Sequence, residues 1–122
     1  MRRPPCSLVF AALVLSLPAI LAADTFHVGP TGDYAQISDV TGLVGPGDLV
    51  LVDGGTTYNP VLFTNDGAAG NPIVVRGIRV GGARPVISGG TNTIEIQSDH
   101  FVLESFEITG GSFRCVYHHS DD

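Results

Sequence analysis

After Gly42 the chain has no helical pattern; short β-branched and aromatic runs follow one another at 49–52, 60–64, 73–76, 85–88, 93–97, 101–108 and 115–118. Sixteen glycines and eight prolines, mostly between these runs, set a corner every few residues. A chain punctuated this way folds as short strands. Two of its segments also repeat: residues 93–100 align with 115–122 at a shift of 22, placing Ile94 on Val116, Ser98 on Ser120 and Asp99 on Asp121. Steps of 22 likewise connect Val52, Val74, Ile96 and His118. Recurrence at about one coil's length is the mark of a parallel β-helix, whose stacked strands lie ~4.8 Å apart and turn each column into a ladder of side chains. Val52, Val74, Ile96 and His118 are therefore predicted to form one inward column, with Ile94 and Val116 forming another. The competing architecture is a small antiparallel sandwich. It favours two-residue hairpins, and here Asn-Gly is absent while Asp53-Gly54 and Asp66-Gly67 each sit in a longer stretch.

The start of the chain reads differently. Met1-Arg2-Arg3 is basic, the following run is apolar, Pro18 breaks it, and Ala22-Ala23 precedes the polar Asp24, as in a secretory signal peptide. A membrane anchor fits less well, because the run is short, broken by Pro18, and followed by no basic residues. Residues 1–23 are thus predicted to be a leader and the protein to be secreted or extracytoplasmic. Without them Arg76, Arg79, Arg84 and Arg114 remain as the only cations beside twelve acids, with no lysine. That balance excludes nucleic acid and anionic membrane surfaces as partners, since both need clustered Lys and Arg. The acidity serves solubility or divalent-cation binding, and composition does not choose. Cys6 leaves with the leader, so Cys115 has no internal disulfide partner.

Residues 24–47 are read as an N-terminal strand and a capping helix. Asp33 is placed to cap it, Tyr34, Ile37 and Val40 or Thr41 share a face, and Gly42 stops it. Two turns of helix are unstable alone, so this one is expected to lie across the open end of the strands. Residues 48–122 are then the first coils, about three of them at this period.

The succession of Gly-Pro-Thr-Gly, short amphipathic helix, Val44-Gly45-Pro46-Gly47-Asp48, Gly54-Gly55-Thr56-Thr57-Tyr58, Gly70-Asn71-Pro72-Ile73-Val74-Val75-Arg76-Gly77 and Arg84-Pro85-Val86-Ile87-Ser88-Gly89-Gly90 resembles the cap and first coils of secreted right-handed parallel β-helix proteins. It looks most like the pectate lyases and their polysaccharide-lyase relatives, over nearly the whole chain after the leader. The resemblance implies an all-β, right-handed solenoid, an acidic polysaccharide as partner, cleavage by β-elimination, and Ca²⁺ as cofactor. In that family the ligands and the catalytic base come from later coils. The sequence ends at Asp122 within what reads as the third coil, so it is expected to be the front of a longer, truncated protein. Because the same opening precedes coils of many functions, a non-catalytic secreted or surface module that binds glycan or protein is the second reading. A segment with no independent activity is the third.

Elimination removes the proton beside a uronate carboxylate, and needs a cation to neutralise that carboxylate and a base to take the proton. With alternate residues facing outward, Glu95, Gln97 and Asp99 are predicted to lie over Tyr117, His119 and Asp121 on one external ladder. Glu95, Gln97, Tyr117, His119 and nearby Arg114 are the candidate substrate-binding residues; Asp99, Asp121 and Asp122 are the candidate metal ligands; no catalytic residue is assigned. Each has a plainer reading. Ser98-Asp99 and Ser120-Asp121-Asp122 serve as turn residues, His118 and His119 as structural or surface histidines, Tyr117 as an ordinary strand residue, and Glu104 and Glu107 as solvated carboxylates. Arg76, Arg79 and Arg84 either meet an acidic sugar or pair with nearby Asp side chains. With no lysine on the ladder, these 122 residues are predicted not to cleave polygalacturonate even with added Ca²⁺; an ultraviolet-absorbing unsaturated product would contradict that.

Overall fold

A computed structural model describes residues 23–119; the predicted leader up to residue 22 and the candidate ligands Asp121 and Asp122 lie outside them. The chain forms ten strands: β1 (Thr25–Val28), β2 (Leu49–Asp53), β3 (Thr57–Tyr58), β4 (Val61–Phe63), β5 (Ile73–Ile78), β6 (Val86–Ser88), β7 (Asn92–Ile96), β8 (Phe101–Glu104), β9 (Glu107–Thr109) and β10 (Arg114–His118). They lie in three sheets, ordered β1-β2-β5-β8, β3-β6-β9 and β4-β7-β10. Every strand pairing is parallel. The molecule is a three-sided parallel β-solenoid of about four turns, and the sandwich is excluded because hairpin-connected strands would have to pair antiparallel. No helix among the described residues is long and apolar enough to cross a membrane.

The core is built by alternation. Phe26, Val50, Val75 and Leu103 form one column through the first sheet, Tyr58, Ile87 and Ile108 one through the second, and Val61 and Ile94 one through the third, where the next member, Val116, is 47 % exposed. Val50, Val75, Ile87 and Ile94 are fully buried. Each such side chain contributes about 1.5–3 kcal/mol of transfer free energy, which a lone coil would not bury.

The expected column of Val52, Val74 and Ile96 does not exist. Val52 lies beside Gly77, Val74 beside Leu49, and Ile96 in a different sheet beside Phe63. The constant step of 22 holds for one pair of coils, where Ile94 meets Val116 and Ile96 meets His118. Elsewhere the step varies: Leu49 meets Val74 and Val74 meets Val102, steps of 25 and 28, while Val61 meets Ile94 at 33. Connections of unequal length between strands change the step without disturbing the stack, because a loop can swell outward at a corner. The expected single run over 101–108 is two strands, parted where Ser105 takes a left-handed φ of 67°.

The segment expected as a two-turn helix is one 3-10 turn, Ile37–Asp39. Asp33 does not cap it; the cap is Gln36, and the Gln36 backbone N–H donates to Asp39 Oδ2 at 3.1 Å. Ile37, Val40 and Val44 are buried, so the apolar face read from the sequence is present in a shorter form.

Candidate functional site

The third sheet brings the predicted substrate-binding residues together. Tyr117 is the direct lateral neighbour of Glu95 across the β7-β10 pair, and Leu62 is the neighbour of Glu95 on the other side. All three face outward because their flanking residues, Ile94 and Ile96 on β7 and Val61 and Phe63 on β4, point into the core. His119 follows in the same register, its N–H donating to the Ile96 carbonyl at 3.0 Å.

Side chains on this ladder are interlinked. His119 Nε2 lies 3.1 Å from Glu95 Oε1, and Gln97 Nε2 donates to the same oxygen at 3.4 Å. Bonding by His119 holds the Glu95 carboxyl below its ordinary range, helped by Asn92 and Gln97 and opposed by slight desolvation. An ionised carboxylate only accepts, so the hydrogen on this contact belongs to His119 Nε2 and its Nδ1 is turned outward from the pair. The imidazole stacks on Tyr117 with ring centroids 4.4 Å apart and planes 21° from parallel. Arg114 sets its guanidinium 4.2 Å from the Tyr117 ring and 4.3 Å from the Phe113 ring. With two planar groups against it, Tyr117 is not an open platform. The exposed aromatic surface is Phe113, 67 % accessible, which the sequence reading passed over. Its signal was weak: Phe113 sits in the Gly-rich corner before β10, where only its position beside Arg114 marks it.

The candidate metal site fares differently. Asp99 is at a coil corner, where its N–H donates to Asp66 Oδ1 and its carbonyl accepts from Gly67, both at 2.9 Å. The side-chain oxygen that satisfies a backbone amide at this corner is therefore that of Asp66, with Asp99 taking part through its backbone. Among the described residues no three His, Cys, Asp or Glu side chains gather as a metal ion would need. Glu104, expected to be solvated, pairs with Arg76, its outward neighbour across β5 and β8. Both are half-exposed, so the pair contributes little to stability.

A second polar cluster, absent from the sequence reading, closes the first turn of the solenoid. Asp53, at the end of β2 and 7 % accessible, lies with Oδ1 2.7 Å from His27 Nε2, and its Oδ2 accepts from the Thr31 hydroxyl at 2.9 Å. Burial pushes the Asp53 carboxyl up, and the bonds from His27 and Thr31 outweigh it, leaving it below the ordinary carboxylate value of 3.8. Tyr58, buried beneath, donates its hydroxyl to the Asp53 carbonyl at 2.7 Å; burial raises its phenol, a bond from Thr56 lowers it and the Asp53 charge raises it, for a net rise. Gly29 is required here, since a Cβ would stand 2.5 Å from Asp53 Oδ2. A cavity of about 250 Å³ opens beside the cluster, lined by Thr31, Asp53, Gly54, Gly55 and Val80.

The linkage sign follows from the depressed Asp53 value. Its contribution is complete above the unfolded carboxylate range and is lost as pH falls through the lower folded value. Urea unfolding should therefore give a midpoint that drops below about pH 4 more steeply in the native protein than in Asp53→Asn. At neutral pH, Asp53→Asn should lose about 1.5–3 kcal/mol, the usual worth of hydrogen bonds to a charged group. Parallel acid profiles for the two proteins would refute the assignment.

Comparison of the chain with protein-family models, with curated proteins and with solved structures finds no match.

Proposed function

We propose that this chain belongs to an exported parallel β-helix protein that binds acidic polysaccharide, with the sugar chain lying across the outer face of the third sheet. The observation that carries the reading is the ladder itself: Phe113, Arg114, Tyr117 and His119 stack in series beside Glu95 and Gln97. A saccharide presents apolar C–H faces, hydroxyls and, when acidic, a carboxylate. Phe113 offers an exposed ring for the first, Glu95 and Gln97 accept and donate to the second, and Arg114 is a planar cation for the third. Neighbouring rungs lie ~4.8 Å apart, close to the length of one sugar unit, so contacts on successive coils can follow a chain.

Isothermal titration of tri-galacturonate into the protein is expected to show saturable binding. Phe113→Ala should weaken it about tenfold, which is about 1.4 kcal/mol. Arg114→Gln should reduce it further and remove the preference over a neutral trisaccharide. Equal binding of neutral and acidic sugars, or unchanged affinity in both variants, would defeat the proposal.

Pectate lyase-like elimination in the parent protein is the finer proposal. Glu95 orients the His119 imidazole as a carboxylate orients a general base, while the cation that must neutralise the uronate is expected from residues outside the ladder. The alternative is a non-catalytic binding or adhesion module, favoured by the contacts that already engage His119 on Tyr117 and Glu95.

A further inference from the structure

We infer that the groove between the hairpin at 79–84 and the outer face of the second sheet is a separate binding site for an anionic sugar, held through Arg79 and Arg84. The groove is about 520 Å³, within the ~300–1,000 Å³ of small-molecule clefts, and is lined by both arginines with Val86, Phe106 and Glu107. Its wall is a tight turn. Val80 and Ala83 exchange both backbone hydrogen bonds at 3.0 Å, and Gly81 and Gly82 between them take φ of 59° and 82°. That is the two-residue hairpin geometry that requires positive φ at both central positions, which Gly-Gly adopts freely.

The hairpin decides where the arginines stand. Arg79 and Arg84 flank the Val80–Ala83 bridge on either side of the turn, and both line the groove. Two cations on one groove wall are complemented by an anion between them. Arg79 spends one nitrogen on the Gly82 carbonyl at 2.8 Å. The Arg84 guanidinium makes no hydrogen bond or ion pair among the described residues, although the chain has twelve acids. Arg76 and Arg114, by contrast, are engaged by Glu104 and by two aromatic rings.

The remaining lining defines the rest of the ligand. Phe106 and Val86 give an apolar wall for a ring face. Glu107, outward on β9 beside Val86, accepts from hydroxyls and disfavours a ligand that is anionic throughout. A carboxylate or sulfate ester on a hydroxylated ring matches all three. The site lies on a different sheet from the Glu95–His119 ladder and does not depend on it.

Amide and ring resonances of the whole chain, followed by NMR while tri-galacturonate, glucose 6-sulfate or maltotriose is added, test the assignment. Saturable shifts at Gly81, Gly82, Ala83 and Phe106 are expected with at least one anionic sugar and not with maltotriose. Whichever anionic sugar acts identifies the source of the charge. Arg84→Gln, an exposed change that leaves the hairpin intact, should weaken binding at least tenfold, and Phe113→Ala should leave it unaltered. Shifts confined to the groove while Glu95, Tyr117 and His119 stay still would remove the ladder proposal and keep this one. No shift with either anionic sugar, equal shifts with maltotriose, or native affinity in Arg84→Gln would overturn it.

Discussion

An alanine at Gly54 is expected to cost about 3 kcal/mol or more, at the upper end of what an overpacked site costs. A Cβ there would stand 2.0 Å from the Ala83 carbonyl oxygen, 2.5 Å from that of Ile78 and 3.0 Å from the Val80 nitrogen. All three are backbone atoms, and the Ile78 carbonyl accepts the Gly54 N–H at 2.7 Å. No side-chain rotation relieves the clash; the corner after β2 and the 79–84 hairpin have to separate. Gly42→Ala is the matched control, because a Cβ there meets nothing within 4 Å. Chemical unfolding should place Gly42→Ala within about 0.5 kcal/mol of the native protein. A small effect at Gly54 would mean the second and third coils do not approach as described.

Truncating Phe63 to alanine should cost about 3–5 kcal/mol, the range for a buried phenylalanine. Phe63 is 1 % accessible and packs on Phe101 with ring centroids 4.7 Å apart, linking the third sheet to the first across the interior. Few domains have more than about 5–15 kcal/mol in total, so the variant should be close to the threshold of folding. Leu62, next in sequence and 45 % accessible, points the other way. Leu62→Ala should change stability by less than about 0.5 kcal/mol. Similar losses at both positions would contradict the alternation that defines β4.

Strands and corners were legible in the sequence because β-branched runs and glycines act locally. The ladder was legible for a related reason: the connections between β7 and β10 are short, so a step of 22 carries Glu95 onto Tyr117 and Gln97 to the level of His119. The same step failed for Val52 and Val74, where longer loops at 64–72 and 79–85 enter the count. Nothing in a residue's identity states how far a loop bulges outward. β3 was missed because two residues, Thr57 and Tyr58, are too few for a period. The His27–Asp53 pair was missed for the reason the false column was drawn: the two residues come together only through a register that no single spacing predicts. Arg84 was noted as either a sugar contact or an ion-pair partner, and only the folded chain shows its guanidinium without a carboxylate among the described residues.

Every site described here rests on the parallel winding that sets successive coils side by side. Nuclear Overhauser contacts between backbone Hα and amide protons on β2, β5 and β8 and on β7 and β10 measure it directly. The account predicts parallel-type contacts that join Val50 to Val75, Val75 to Leu103, and Glu95 to Tyr117. Close Hα–Hα pairs of the antiparallel kind between any of these strands, or a register that puts Tyr117 beside Ile94 or Ile96, would contradict it.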